Sequence, residues 1–209
     1  MRSFLDSCII INFLEFEFNE TPLKKKCLDY LSKEKDFLSC FWVLEETKTF
    51  IRKREVQFNE LLRKKEDPSY NFGTHKESEL LSKNDLLFTK LLYDDLKEIE
   101  ISALKDKFEQ QIKTLKIKRD LFLKNQLNEI SIKISEINKT ILSIIYDFIE
   151  DYSDCKVLTS AIQMQQDKEI FTFVTADKHF LEGTYDSINE DMRLKEYKKP
   201  ILKNLLFEN

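Results

Sequence analysis

The apolar residues of this chain fall into short dense runs and long periodic stretches, and their order outlines a fold. Phe4-Leu5 leads through Asp6-Ser7 into Cys8-Ile9-Ile10-Ile11, so residues 3–11 read as a buried strand running into a helix. Phe37-Leu38-Ser39-Cys40-Phe41 and Ile170-Phe171-Thr172-Phe173-Val174-Thr175 are two further runs of this kind. Short runs without polar alternation suit parallel strands covered on both faces. The stretches between them have helical spacing. Thr21-Pro22 is a cap with proline at the first helical position, ahead of Leu23, Cys27, Tyr30 and Leu31 on one face. A longer helix carries Val43, Leu44, Thr47, Phe50, Ile51, Phe58, Leu61 and Leu62 and fades at Glu66-Asp67-Pro68, before a loop at Tyr70-Asn71-Phe72-Gly73. Asp154 opens a helix with Val157, Leu158, Ala161 and Ile162 facing inward, and Asp177 opens a short helical turn. Pro200-Ile201 and Leu205-Leu206-Phe207 close the chain as an edge element or a helix.

The middle of the chain has a different period. No glycine or proline lies between Gly73 and Gly183, and Leu123, Leu127, Ile130, Ile134, Ile137, Ile141, Ile144 and Phe148 are spaced alternately by four and three residues. This heptad pattern predicts one long helix packed in coiled-coil fashion. Its partner is residues 78–112, where Leu87, Leu91, Leu96, Ile99, Leu104, Phe108 and Ile112 form a less regular stripe, with a turn within 112–121. The expected architecture is an α/β core made from residues 1–66 and 149–209, split by a helical, coiled-coil-like hairpin insertion over 67–148.

Composition agrees with a helix-rich globular chain. Gly 2 and Pro 3 in 209 residues are too few for a fold built on many tight turns, while 17 Phe and 7 Tyr supply a core. Cys8, Cys27, Cys40 and Cys155 form no C-x-x-C pair, so they read as reduced thiols in a cytoplasmic protein, with Cys8 and Cys155 as small core residues. No apolar run reaches the roughly 18 residues of a membrane span, and the N-terminal stretch lacks a signal-peptide cleavage pattern. The net charge of −4 argues against a protein that coats nucleic acid. Residues 47–65 nevertheless hold seven basic side chains against two acidic ones, which makes Arg52, Lys53 and Arg54 candidates for phosphate contact, with a solvated helix face as the alternative.

Four acids carry the candidate chemistry. Asp6, Glu46, Asp154 and Asp177 each stand at the end of an apolar run or in the first turn of an apolar-periodic helix. Converging carboxylates make a site for hard divalent cations, which favour oxygen ligands. Helix capping accounts for Asp154 or Asp177 taken singly, and would stabilise each helix by roughly 0.5–2 kcal/mol.

The order of elements and the place of each acid resemble the PIN-domain family of metal-dependent nucleases. Phe4-Leu5-Asp6-Ser7 resembles that family's first strand, Ser39 through Glu46 its second strand and helix, Asp154 with Leu158 and Ala161 its third acidic motif, and Val174-Thr175-Ala176-Asp177-Lys178-His179-Phe180 its fourth. The match covers both ends of the chain and none of the middle. Where the family often has Asn two positions after the first Asp, this chain has Cys8. Glu46 is preferred to Glu45 because Phe50 then falls where the family places its apolar face. The resemblance implies a three-layer core with a short parallel sheet, and one or two Mg²⁺ or Mn²⁺ ions held by Asp6, Glu46, Asp154 and Asp177. It implies that Ser7 and Thr175 hold a water or a phosphate oxygen behind them, with Lys178 among the nucleic-acid contacts. His179 is read as a surface residue, with substrate contact as the alternative, and His75 is given no role. The implied activity is that of an endoribonuclease acting on single-stranded or structured RNA, as a toxin or defence effector restrained by a protein inhibitor. The alternatives are a non-cutting PIN-like scaffold that assembles through its helical arm, with a homo-oligomer among the expected assemblies, and a structure-specific DNA nuclease.

Overall fold

The computed structural model describes residues 2–168 and 172–207. The elements in chain order are β1 (Arg2–Leu5), α1 (Ser7–Glu15), α2 (Pro22–Lys33), β2 (Asp36–Cys40), α3 (Phe41–Glu66), α4 (Lys83–Leu96), α5 (Ile101–Asn125), β3 (Leu127–Ser131), α6 (Lys139–Tyr146), α7 (Tyr152–Lys168), β4 (Thr172–Thr175), α8 (Glu182–Glu190) and β5 (Ile201–Asn204). All five strands join one parallel sheet in the order β3-β2-β1-β4-β5. The fold is therefore α/β, and the predicted strands at both ends of the chain are its two inner pairs. The Ile170-Phe171 part of the predicted third run lies outside the described residues. The closing segment supplies the edge strand β5.

The dense apolar runs form strands because the centre of a parallel sheet offers no wet face. Phe4, Leu5, Phe173 and Val174 are fully buried, as are Ile9 and Ile10 on α1. Burying each of these side chains is worth roughly 1.5–3 kcal/mol. Phe173 meets Phe180 edge-to-face at 5.0 Å, which packs the turn after β4 against the sheet. Thr21 caps α2 by accepting a hydrogen bond from the Lys24 amide, as its Thr-Pro start predicts.

The chain forms two compact units, residues 1–47 with 119–209, and residues 48–118. This differs from the expected boundaries of 67–148. The long helix predicted over 123–148 is not formed. Instead α5 ends at Asn125, β3 pairs with β2 in the sheet, and α6 begins only at Lys139. Ile130 and Ile134, assigned to the heptad seam, are exposed. β-branching at Ile130 favours the extended chain that pairs with β2 over a helix. Ile132 then takes a left-handed backbone (φ 54°), and Asn138 caps a fresh helix by accepting from the Thr140 and Ile141 amides.

The 48–118 unit has its own interior. Phe58 and Phe108 stack at 4.0 Å, almost parallel. The buried carboxylate of Glu60 accepts hydrogen bonds from the Tyr70 hydroxyl and the Gly73 amide, both at 2.6 Å, and from Arg63 at 3.0 Å. Gly73 sits at φ 85°, a backbone that suits glycine.

Within the α/β unit, Nε of Arg119 donates to Oγ1 of Thr47 at 3.3 Å, so the two ends left by removing 48–118 are adjacent. Replacing Lys48–Lys118 by a short Gly/Ser linker should leave a cooperatively melting α/β protein. Deleting 78–148 instead removes β3 and α6 and should abolish the cooperative transition. Circular dichroism melts of the two variants check this, and loss of cooperative melting in the first would show that 48–118 is needed for the sheet unit to fold.

Candidate functional site

The strand order places the site. From β1 the chain goes to β2 and β3 on one side, then returns to place β4 and β5 on the other. In open α/β sheets the crevice outside the carboxyl ends of the strands at such a reversal is the usual ligand site. Asp6 directly follows β1, and Asp177 follows β4 after Ala176. Glu46 and Asp154 come from the starts of α3 and α7.

Asp6 is 2% exposed and is held from three sides. The Asp6 amide donates to the Val174 carbonyl at 3.0 Å, extending the β1–β4 pairing to the carboxylate itself. Its Oδ1 accepts from the Ser7 amide at 2.6 Å, at the start of α1. Its Oδ2 accepts from the Thr175 hydroxyl at 2.6 Å and from the Cys8 thiol at 3.0 Å. Thr175 Oγ1 also accepts from the Asp177 amide at 3.0 Å, so one hydroxyl ties the first acid to the last. Cys8 is thus part of the site and not simply a core residue, since its sulfur also accepts from the Ala176 amide at 3.0 Å. Burial, with Asp6 beside it, keeps this thiol protonated, which suits it to donate and not to act as a nucleophile.

Asp154 is not the cap of α7. Asp151 takes that role by accepting from the Ser153 amide at 2.7 Å and the Asp154 amide at 3.3 Å. The Asp154 carboxylate is left for His179, whose Nδ1 donates to its Oδ2 at 2.7 Å. The same ring nitrogen lies 3.3 Å from Oδ1 of Asp177. Asp177 accepts from the His179 amide at 2.7 Å, which shapes the turn, and Asn204 of β5 fixes that turn by donating to the carbonyls of Asp177 and Phe180. Glu46 accepts a short hydrogen bond from the Ser153 hydroxyl, whereas Glu45 is exposed. Asp154 and Asp177 thus come together at His179, while Asp6 and Glu46 lie near enough for charge to act, Glu46 on Asp6 and Asp6 on Asp154, with Thr175 holding Asp6 and Ser7 buried beside it.

Lys178 is exposed on the turn between Asp177 and His179. Arg52, Lys53 and Arg54 belong to the 48–118 unit. There Lys53 pairs with Asp85 at 2.9 Å, and the Arg54 guanidinium lies over the Phe88 and Phe50 rings at 4.7 and 5.3 Å while donating to Gln57. Arg52 is exposed.

His179, Cys8, Asp151 and Ser153 are the residues that sequence reading did not place at the site. The Thr-x-Asp-x-His spacing of 175–179 is a local signal for His179, because a tight turn after a strand aims alternate side chains the same way. Nothing in the sequence marks Ser153 as the partner of Glu46.

Electrostatics show the crowding. Burial raises Asp6 to about 6, against hydrogen bonds from Cys8 and Thr175 that lower it, and the charges of Glu46 and Asp177 raise it further. Burial raises Asp154 to about 7, partly offset by His179, with the charges of Asp6, Asp177 and Asp151 adding to the rise. The hydrogen bond to Asp154 raises His179. Ligand atoms of Asp154, Asp177 and His179 all lie within 4.8 Å of one another. Oxygen donors with one imidazole fit Mg²⁺ or, better, Mn²⁺, which tolerates a nitrogen ligand.

These shifts predict a pH dependence. In the unfolded chain an Asp titrates near 3.9. Asp6 and Asp154 therefore hold protons in the folded state that the unfolded state has lost between about pH 4 and 7, and their contribution to stability falls as pH rises through that window. His179, raised above its ordinary value, contributes stability below that value and loses it as pH rises, which is the same direction. The metal-free protein should melt higher at pH 5.5 than at pH 8. Asp154→Asn should flatten that slope and, at pH 8, melt no lower than the natural protein. A metal-free melting temperature that falls on acidification over this range would show that the carboxylates are not crowded. Comparison of the chain with protein-family models, curated proteins and solved structures finds no match.

Proposed function

We propose that this chain is a Mg²⁺- or Mn²⁺-dependent nuclease of PIN type that hydrolyses RNA phosphodiester bonds. The observation that carries the reading is the convergence of Asp6, Glu46, Asp154 and Asp177 at the strand-order reversal, with two of them raised by burial and by one another's charge. Carboxylates at such a crevice are stabilised by a bound cation and costly without one. Asp154 and Asp177, with His179 beside them, would hold the first ion, and Asp6 and Glu46 complete the anionic cluster. A bound divalent ion at such a site supplies a water of lowered pKa and neutralises charge on the phosphate.

The protein's own groups do the rest. Thr175 and Cys8 donate to Asp6 and fix its orientation. Ser153 fixes Glu46, and His179 bridges Asp154 and Asp177. Lys178, exposed beside them, offers a cation to the substrate backbone. RNA is favoured as substrate, DNA serves as the control, and a protein inhibitor would restrain the activity in a toxin or defence setting. No helix among the described residues is long and apolar enough to cross a membrane.

Labelled RNA and DNA incubated with Mn²⁺ or Mg²⁺ test the proposal. RNA should be cut in a manner abolished by EDTA, and Asp6→Asn and Asp177→Asn should each lower the rate at least about a hundredfold, the scale for loss of one electrostatic group in a site. Millimolar Mn²⁺ should raise the melting temperature of the natural protein, because it binds only the folded state, and raise that of Asp177→Asn much less. Equal metal shifts in both proteins, together with undiminished cutting by the variants, would remove these acids from the site.

A further inference from the structure

Beside the acidic cluster lies a second feature that the proposed chemistry does not use. A cavity of about 530 Å³ opens between the start of α3, α6 and the start of α7. Its walls include Trp42, Tyr146, Tyr152 and Leu142, and its charged lining residues are Lys139 and Lys156. Tyr146 and Tyr152 meet edge-to-face at 6.0 Å, yet each keeps about half its surface in solvent, at 52% and 55%. Lys156 Nζ stands 4.0 Å from the centre of the Trp42 ring and 4.9 Å from that of Tyr152.

Aromatic rings left open together in this way, with cations and no carboxylate among the lining residues, form a contiguous patch of the kind that marks an interaction site. Their place in the sequence ties them to the acids. Tyr152 and Lys156 are one turn apart on α7, and between them Ser153 and Asp154 turn the other way, toward Glu46 and His179. Trp42 is one turn before Glu46 on α3. Along α3 the pocket and the acidic cluster are thus about one helical pitch, ~5.4 Å, apart, and on α7 Asp154 lies two residues, roughly 3 Å along the axis, from Tyr152 and from Lys156, on another face.

We propose that this pocket takes one unstacked nucleobase of a single-stranded nucleic acid, stacked on Tyr152 with Tyr146 against its edge, while a neighbouring phosphate of the same strand lies at the acidic cluster. The assignment rests on the nuclease reading for the second half of that statement. The occupant follows from charge and shape. An open π-face stacks on any base, and Lys139 and Lys156 match the phosphates that flank it. A base within a duplex is already stacked and paired, so the pocket selects single strands or loops. An apolar protein anchor by itself would leave Lys139 and Lys156 without a counter-charge.

Trp42 is the chain's sole tryptophan and lines the pocket, so its fluorescence reports occupancy directly. The experiment uses the full chain carrying Asp177→Asn, in EDTA, titrated with a short single-stranded RNA, its DNA counterpart and the matching duplex. The single strands should quench Trp42 saturably and the duplex should not. Tyr152→Ala should weaken the single-strand Kd about fivefold to a hundredfold, the worth of one stacked base, while Tyr152→Phe keeps it. Tyr152 is half exposed, so its loss should leave the melting curve in place. Lys156→Gln is the second variant, and it should weaken binding and lower its salt dependence. An unchanged Kd in Tyr152→Ala, or equal quenching by duplex, overturns the pocket, and absence of quenching by any nucleic acid overturns it in favour of a protein-docking face. The natural protein is assayed for cutting in parallel. Metal-dependent cutting with binding that ignores Tyr152 rejects the pocket and leaves the nuclease. Binding that depends on Tyr152, without cutting under Mn²⁺ or Mg²⁺, rejects the nuclease and leaves the pocket as a single-strand binding site.

Discussion

The parallel pairing of β1 with β4 is the contact on which the site depends. It joins the second residue of the chain's described part to a strand some 170 positions later, and it continues past the strand ends. The Asp6 amide still reaches the Val174 carbonyl, and the Thr175 hydroxyl bonds Asp6 on one side and the Asp177 amide on the other. A one-residue slip of a strand would turn its side chains to the opposite face. The buried Phe4, Leu5, Phe173 and Val174 resist such a slip, so the register of the core also sets the spacing of the first and fourth acids. Packing and site geometry are here one constraint.

That constraint holds together groups that repel. Two unit charges about 4 Å apart oppose each other by roughly 4 kcal/mol at an effective dielectric of 20. Burial is the main cause of the raised values of Asp6 and Asp154 and the neighbouring charges add to it, so protonation relieves both when no cation is present. The surrounding polar groups are arranged to keep the acids oriented and not to neutralise them. Cys8 illustrates this. Its thiol donates to Asp6 and accepts from the Ala176 amide, two functions a side-chain amide can also perform, so Cys8 stands in the position where the resemblance leads one to expect Asn. A buried thiol does this with less hydration to lose than an amide, at the cost of weaker hydrogen bonds.

The sequence made the ends of the chain legible and the middle misleading, for one reason. In the outer segments the apolar runs are short and dense, and the first and third are followed by an acid, Asp6 and Asp177. Asp6 and Asp177 could be placed on that basis. Between Leu123 and Phe148 the spacing of leucines and isoleucines satisfies a heptad, yet residues that satisfy a helical period can also satisfy a strand when the β-branched content is high. What decided between them is the pairing of Leu127–Ser131 with β2, a partner 90 residues away in sequence that no local pattern reveals. The pairing of His179 with Asp154 was hidden in the same way. Its proximity to Asp154 depends on α7 packing beside the β4 turn, and neither segment carries a sign of the other.

The basic run that followed Glu46 in the sequence looked like the natural contact for phosphate. Lys53 and Arg54 instead serve their own unit, one in an ion pair with Asp85 and the other against the Phe50 and Phe88 rings. An ion pair and a stacked guanidinium would have to be broken before either could bind a backbone. The cations that stand near the acids within the α/β unit are fewer and more scattered: Lys178 between Asp177 and His179, and Lys156 over Trp42 and Tyr152. Few phosphate contacts mean weak, mildly salt-dependent attraction. For a nuclease of the proposed kind, selectivity would then have to come from another source, and rings of the proposed pocket would provide it, because they would reward a single strand with stacking and give a duplex nothing. A net acidic chain can act on nucleic acid under those terms without coating it.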